Sequence, residues 1–111
     1  MTSITGPQEL EQYLKELPIV LVQFGSERCL PCKSLQNKLL VWNQSHPQIF
    51  YIYVPAEEQP ALCAQLGVFT VPTIFVYVES RLTIRESGYF SLEHLLEQVH
   101  RYEALLLSEI S

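Results

Sequence analysis

The sequence predicts an α/β fold in which helices cover both faces of a mixed β-sheet. Its 111 residues, 48% of them hydrophobic, suffice for one domain with one core and are too few for two. In the first half, apolar runs of strand length alternate with segments of helical periodicity, a pattern typical of parallel strands joined by helices. Two later strand segments lie only two residues apart, which predicts an antiparallel hairpin. A sheet with both kinds of pairing is mixed.

The first predicted element is a helix over residues 7 to about 17. Pro7 suits the first turn of a helix, where its missing N–H would have no partner. Gln8 follows Thr5 at the spacing of a capping box, so these two residues are expected to cap the helix. Pro18 ends it.

A buried strand and a longer helix follow. Residues 19–24 are β-branched or apolar except for Gln23, which predicts a strand covered on both faces. Leu35, Leu39 and Trp42 recur at i, i+4 and i+7, and this stripe predicts a helix from residue 31 to about 43. The remaining predicted elements are strands at 49–54, 73–78 and 81–86, with Glu79 and Ser80 in the hairpin turn, and helices at 60–66 and 92–106.

Charge and composition exclude several classes of function. The net charge is −5 at pH 7 and the seven Lys and Arg residues are scattered, so nucleic acid is not an expected partner. No basic and apolar leader opens the sequence, and no apolar run approaches the ~20 residues that span a bilayer. Three cysteines do not fit a secreted fold held by several disulfides. We expect a cytoplasmic monomer that binds neither nucleic acid nor membrane.

Cys29 and Cys32 lie three positions apart where a predicted strand gives way to a predicted helix. At such a helix start, unpaired backbone N–H groups and the helix dipole stabilise an anion, here the thiolate of Cys29. Cys32 lies one turn inside and is expected to be shielded and to react second. Arg28 and Lys33 add positive charge that tunes the pair, and Pro31 suits the first turn. The spacing therefore predicts thiol–disulfide exchange.

The same Cys-x-x-Cys spacing is also half of a structural zinc site, which needs four ligands. The other candidate ligands are Cys63, His46, His94 and His100, and helix and strand segments separate them along the chain. No second ligand pair is therefore predicted, and we expect no metal and no bound cofactor. An inert cysteine pair is the other alternative.

Together these motifs resemble the thioredoxin family over nearly the whole chain. The matching residues are Phe24, Glu27, the Cys29-Leu30-Pro31-Cys32-Lys33 box, Gly67, Val71-Pro72-Thr73 and Gly88. The resemblance implies a thioredoxin fold and a cis peptide bond at Pro72, beside the cysteines. It further implies that Val71 and Pro72 hold an extended polypeptide across Cys29. An ordinary trans proline at the head of an edge strand is the alternative.

Four positions depart from the family pattern. Thioredoxins generally carry Trp and Gly on either side of the first cysteine, and a buried Asp paired with a Lys; this sequence has Arg28, Leu30, Gln23 and Tyr53 instead. The amide of Gln23 cannot act as a general base for the second thiol, so resolution of a mixed disulfide is expected to be slow. Arg28 and Leu30, with Pro31, change the charge and shape of the surface that a substrate meets.

The resemblance implies a reductant of protein disulfides. The thiolate of Cys29 attacks the substrate, Cys32 resolves the mixed disulfide, and a reductase or another thiol donor supplies the electrons. One alternative is a non-enzymatic adaptor or chaperone that binds extended polypeptide with little turnover, which the substitutions at Gln23, Arg28 and Tyr53 favour. Another is an electron acceptor for one dedicated enzyme.

The other candidate residues have structural interpretations. Cys63 shares a predicted helix with apolar residues and is expected to be a small core side chain, with a regulatory or dimer-forming thiol as the alternative. The three histidines are expected to face solvent. The aromatic residues that alternate along strands predict sheet packing; they are Tyr51, Tyr53, Phe75 and Tyr77.

Overall fold

The computed structural model describes residues 2–110, and the side chains of residues 2–106. Within this range the helices and strands follow one another in the predicted order. The α-helices are α1 (Pro7–Glu16), α2 (Leu30–Gln44), α3 (Pro60–Leu66) and α4 (Leu92–Ile110), and a short 3-10 helix covers Ala56–Glu58. The strands are β1 (Ile19–Gly25), β2 (Phe50–Pro55), β3 (Thr73–Val78) and β4 (Arg81–Ser87).

The strands form one mixed sheet in the order β2-β1-β3-β4. β1 pairs in parallel with β2 and antiparallel with β3, which in turn pairs antiparallel with β4. The predicted fold class is therefore confirmed. Because Phe24 near the end of β1 pairs with Thr73 at the start of β3, the chain leaves β1 and enters β3 at the same end of the sheet. This register brings the cysteine motif and Pro72 to one place.

Helices cover both faces of the sheet through two separate hydrophobic clusters. Side chains alternate along β1, as the pleat requires. Val22 faces the cluster that contains side chains of α1 and α3, whereas Leu21 faces the cluster that contains side chains of α2 and α4. The cysteine helix α2 is thus held on a packed sheet face by Leu35 and Leu39.

The start of α1 differs from the prediction. Gly6 is the N-cap residue, no side chain caps it, and the expected cap through Gln8 is wrong. Instead, the Glu9 carboxylate accepts hydrogen bonds from the backbone N–H of Thr5 at 3.0 Å and from its hydroxyl at 2.8 Å. These bonds lower the pKa of Glu9. The capping partner lies one residue further along because the chain at Gly6 is extended before the helix begins.

The predicted hairpin between β3 and β4 is confirmed, with a two-residue turn. Glu79 and Ser80 have φ values of 49° and 71°, the left-handed conformations that such a turn requires. A register shift between Val76 and Tyr77 interrupts the pairing. Within residues 2–110, no helix combines the length and the apolar character that crossing a membrane requires.

Candidate active site

Cys29 and Cys32 form a disulfide at the start of α2. Cys29 is the N-cap residue, and its Sγ accepts a hydrogen bond from the backbone N–H of Cys32 at 3.2 Å. That N–H is one of the amide groups that a helix start leaves without an intrahelical partner. The sulfur of Cys29 therefore lies where amide hydrogens and the helix dipole favour negative charge.

The two cysteines differ in accessibility. Cys32 is 0% exposed, whereas Cys29 is partly exposed. An incoming thiol or disulfide can therefore reach Cys29 and not Cys32. This asymmetry fits the predicted order of reaction, in which the outer sulfur acts first.

Gln23 of β1 lies beneath the first turn of α2 and is 0% exposed. Its Nε2 donates a hydrogen bond to the backbone carbonyl of Cys32 at 2.9 Å, and its Oε1 accepts one from the Tyr51 hydroxyl. Burial, reinforced by the neighbouring Tyr53, raises the pKa of the Tyr51 phenol. The position thus holds a neutral and satisfied hydrogen-bond network that fastens the cysteine helix to the sheet.

The peptide bond between Val71 and Pro72 is cis. Hydrogen bonds on either side hold this segment in place. The Thr73 hydroxyl donates to the carbonyl of Thr70 at 2.7 Å, and the backbone N–H of Gly88 donates to the carbonyl of Pro72 at 2.9 Å. Gly88 has a φ of 70°, which glycine adopts at little cost.

A shallow groove of about 210 Å³ connects residues 29–32, the cysteine motif, with the segment around Pro72, the proline loop. Its lining includes Pro31, Leu35, Lys38, Pro72, Tyr89 and Phe90. Three large apolar side chains close in sequence to the cysteines, to Pro72 or to Gly88 project into solvent. Leu30 is 76% exposed, Phe69 is 82% exposed and Tyr89 is fully exposed. The groove beside the disulfide is therefore lined by apolar and aromatic side chains together with Ser34 and Lys38, a mixture suited to binding a polypeptide.

The basic residues beside the disulfide are both exposed. Arg28 lines a pocket with Ser26, Glu27 and Glu57, so its positive charge is matched by two carboxylates in the same pocket. Lys33 belongs to the first turn of α2, where its backbone N–H donates to the carbonyl of Cys29 at 3.3 Å. The sequence predicts positive charge beside the disulfide from Arg28 and Lys33. The structure adds the two carboxylates to this surface, so the charge there is mixed in sign.

Tyr53 lies over Gly25, at the end of β1. A Cβ atom on Gly25 would come within 2.9 Å of the Cε2 and Cζ atoms of Tyr53, closer than real Cβ atoms approach other atoms. Burial, followed by the charges of Glu57 and Glu27, raises the pKa of the Tyr53 phenol. A neutral phenol thus stands where the family generally has an amine.

Cys63 is a buried, free thiol in the cluster between the sheet and α1 and α3. Burial raises its pKa. The prediction that it is a core side chain is confirmed.

The histidine prediction is partly wrong. His94 and His100 are exposed on α4, but His46 is only partly exposed, and its ring centroid lies 6.5 Å from that of His100. Helix and strand segments separate these two residues along the chain, so the sequence predicts no contact between them. They meet because α4 packs beside the end of α2 on the same face of the sheet.

Three residues have roles at the site that the sequence does not predict. Tyr51 is predicted to pack in the sheet, and its hydroxyl also bonds to Gln23, a contact that depends on the pairing of β1 with β2. Tyr89 and Phe90 line the groove. They directly follow Gly88, one of the residues that match the family, and this adjacency is the sequence feature that could have indicated them.

The family model described as Thioredoxin matches residues 2–101. Thioredoxin-2 of Pyricularia oryzae is 29% identical over 75 residues, which are 68% of this chain and 44% of that protein. The chloroplastic Thioredoxin-like 1-3 of Arabidopsis thaliana is 32% identical over 79 residues, which are 69% of this chain and 29% of that protein. The matches thus span less than half of each relative.

Solved structures agree on the fold. The X-ray structure of Fasciola hepatica thioredoxin has a TM-score of 0.83 against this chain at 21% identity, and the match covers 92% of this chain and 99% of that one. The sheet order and the positions of the four helices described above therefore have a close counterpart among solved structures.

Proposed function

Because this chain belongs to the thioredoxin family, we propose that it is a thiol–disulfide oxidoreductase that reduces disulfides in protein substrates. The observation that carries the proposal is the placement of one disulfide at the start of α2, with Cys29 partly exposed and Cys32 buried. A partly exposed sulfur at a helix N-terminus is a good nucleophile once reduced, because its thiolate is stabilised there.

The proposed reaction transfers two electrons in two exchanges. The reduced Cys29 thiolate attacks one sulfur of a substrate disulfide, a mixed disulfide forms, and the other substrate sulfur leaves as a thiolate. The Cys32 thiolate then attacks the Sγ of Cys29, so that the second substrate thiolate leaves and the disulfide of this structure results. A reductase or another thiol donor restores the dithiol by the reverse exchange.

The groove supports a polypeptide as the substrate. Pro31 and Pro72 line it together, so a chain lying in the groove passes from the proline loop to the cysteine motif. The proposed contacts are backbone pairing at Val71 and apolar packing against Leu30 and Tyr89. Arg28, beside Glu27 and Glu57, then selects among the charges that flank the substrate disulfide.

Gln23 shapes the second exchange. Its amide cannot take the proton of Cys32, and both of its polar ends are already bonded. The proton therefore leaves with the outgoing thiolate or through water, and we propose a slow resolving step. The free Cys63 and a reductant role suit a reducing compartment such as the cytoplasm.

Reduction of insulin by dithiothreitol tests the proposal. The wild-type chain should accelerate precipitation of the insulin B chain, Cys29→Ser should fall to the uncatalysed rate, and Cys63→Ala should match wild type. The rival, an adaptor that binds polypeptide through the apolar groove without turnover, is favoured by the exposure of Leu30 and Phe69. It predicts wild type at the uncatalysed rate, and that result would overturn the oxidoreductase proposal.

A second measurement tests the direction of electron flow. Equilibration of the Cys29–Cys32 couple with glutathione gives its reduction potential, and a potential near that of thioredoxin, about −270 mV, fits a reductant. A value near about −120 mV, typical of a strong oxidant, contradicts the reductant role while leaving disulfide exchange itself intact.

A further inference from the structure

A second cluster of ligand-bearing side chains lies at the far end of α2 from the disulfide. His46 follows the C-terminus of α2, and His100 and Glu103 lie one turn apart on α4. One donor atom from each of the three residues lies within 4.8 Å of the other two. We propose that His46, His100 and Glu103 bind a divalent transition metal ion of the zinc type.

Glu103 is the first argument for a cation. The residue is only 6% exposed, and its Oε2 is buried without a hydrogen-bond partner among the described residues. Its Oε1 lies 3.7 Å from Nδ1 of His100, too far for a hydrogen bond. A buried carboxylate oxygen without a partner is costly, and a metal ion is one of the few groups that satisfy it. The carboxylate and two histidines together form a common ligand set for zinc.

The orientation of His46 is the second argument. Its Nδ1 lies 2.9 Å from the backbone carbonyl of Trp42, which can only accept a hydrogen bond, so Nδ1 carries the proton. The lone pair is then on Nε2, available to a metal. The imidazole also stacks on the Trp42 ring, with centroids 4.3 Å apart and an interplanar angle of 16°. Metal-binding histidines are typically held in this way by a carbonyl on the second nitrogen.

The geometry needs only a small adjustment. Ligand atoms around a tetrahedral zinc ion, bonded at about 2.0–2.1 Å, lie roughly 3.3 Å apart. His100 is 71% exposed in its side chain and is free to rotate toward the other two. A groove lined by His46, His100, Glu93, Glu97 and Arg101 opens the two histidines to solvent, so water can supply a fourth ligand from that side, while Glu103 supplies its carboxylate from the buried side. The two carboxylates that line this groove outnumber its one guanidinium and favour the approach of a cation.

The choice of metal follows from the ligands. Imidazole nitrogen suits zinc, copper and nickel, whereas calcium and magnesium prefer a shell of oxygen ligands. The site is independent of the proposed redox chemistry, because α2, whose 15 residues extend over about 22 Å at 1.5 Å per residue, lies between Cys29 and His46. Its loss therefore leaves disulfide exchange intact.

The test titrates Zn²⁺ into the oxidised protein, in which the disulfide removes the two reactive cysteines as competing ligands. Trp42 is the single tryptophan and stacks on His46, so its fluorescence reports occupancy directly. Wild type should bind one equivalent of Zn²⁺ saturably and should show a rise in melting temperature on saturation. His100→Gln and Glu103→Gln should each weaken binding by at least about tenfold.

His94→Gln is the matched control, since it removes an exposed histidine from the same helix without touching the cluster. It should bind Zn²⁺ as wild type does. His100→Gln changes an exposed side chain and so should fold normally. The proposal is overturned if oxidised wild type shows no saturable one-equivalent binding, or if His100→Gln binds as tightly as wild type.

Discussion

The side-chain amide of Gln23 donates a hydrogen bond to the backbone carbonyl of Cys32 across 2.9 Å. Through this bond, the central strand of the sheet holds the first turn of the helix that carries the disulfide. The other end of the same amide accepts the Tyr51 hydroxyl. Gln23 therefore has a structural role at a position where thioredoxins generally have an acid that transfers a proton. Stability and the rate of resolution should both depend on this residue.

Gln23→Met should lower the free energy of unfolding by about 1–3 kcal/mol, because it removes both bonds and leaves the buried Tyr51 hydroxyl without its partner. Tyr51→Phe in the Gln23→Met background should cost less than Tyr51→Phe alone, since the orphaned hydroxyl is then gone. Urea denaturation of the four oxidised proteins measures this coupling. Strictly additive effects would contradict the network.

Gln23→Asp should accelerate the resolving step, by up to about 100-fold, because a carboxylate can take the proton from Cys32. Gln23→Asn shortens the side chain equally without adding a base and is the control. The reduced protein, mixed with an aromatic disulfide, releases one coloured thiolate when Cys29 attacks and a second when Cys32 resolves. Equal second-phase rates in the two variants would show that the missing acid does not limit resolution.

Stability should fall in alkaline solution. Burial raises the pKa of Tyr51 and of Tyr77, so the folded state favours the neutral phenols. Their stabilising contribution is complete below the ordinary value near 10 and is lost as the pH rises through the folded-state pKa. For each phenol that ionises only on unfolding, the free energy of unfolding should fall by about 1.4 kcal/mol per pH unit. Urea titrations between pH 8 and 11 measure the slope, which Tyr51→Phe should make shallower.

Gly25→Ala should destabilise the fold by about 1 kcal/mol, because the new methyl group would lie 2.9 Å from ring atoms of Tyr53 and the partly exposed ring would have to move aside. Tyr53→Leu should reverse most of this loss by removing the ring. Thermal unfolding of the single and double variants measures it. If Gly25→Ala is as stable as wild type, the close approach of the ring is not a constraint on the end of β1.

Cys63 should resist alkylation in the native reduced protein. Its thiol is buried and its raised pKa lowers the thiolate fraction at pH 8, whereas Cys29 is partly exposed at a helix start. Mass spectrometry after brief iodoacetamide treatment should find label on Cys29 and none on Cys63 until denaturant is added. Labelling of Cys63 at a rate similar to that of Cys29 would contradict its core position.

Much of the architecture is predictable from local patterns. The apolar run around Val22 predicts a strand, and the helical spacing of Leu35 and Leu39 predicts a helix. Both elements are present, as β1 and α2. Element ends are less predictable, because a cap depends on backbone direction. Thr5 bonds to Glu9 because the chain is extended at Gly6, a feature that the residue types do not encode.

Contacts between distant elements are the part that the sequence leaves open. The sequence indicates that Gln23 cannot be a base, but its bond to Cys32 requires the packing of α2 on β1. The meeting of His46 with His100 requires α4 to lie along α2. Both contacts depend on how the helices pack on the sheet, and no local sequence pattern specifies that packing.

Trp42, the single tryptophan of the chain, stacks on His46 near the end of α2 that is remote from the disulfide. The indole lies on the fourth turn of α2, about 20 Å along the helix from Cys29. Because of this distance, opening the disulfide should leave the surroundings of the indole unchanged, and tryptophan fluorescence should not report the redox state. The redox state of the cysteine pair is therefore better followed by the chromatographic shift of alkylated thiols.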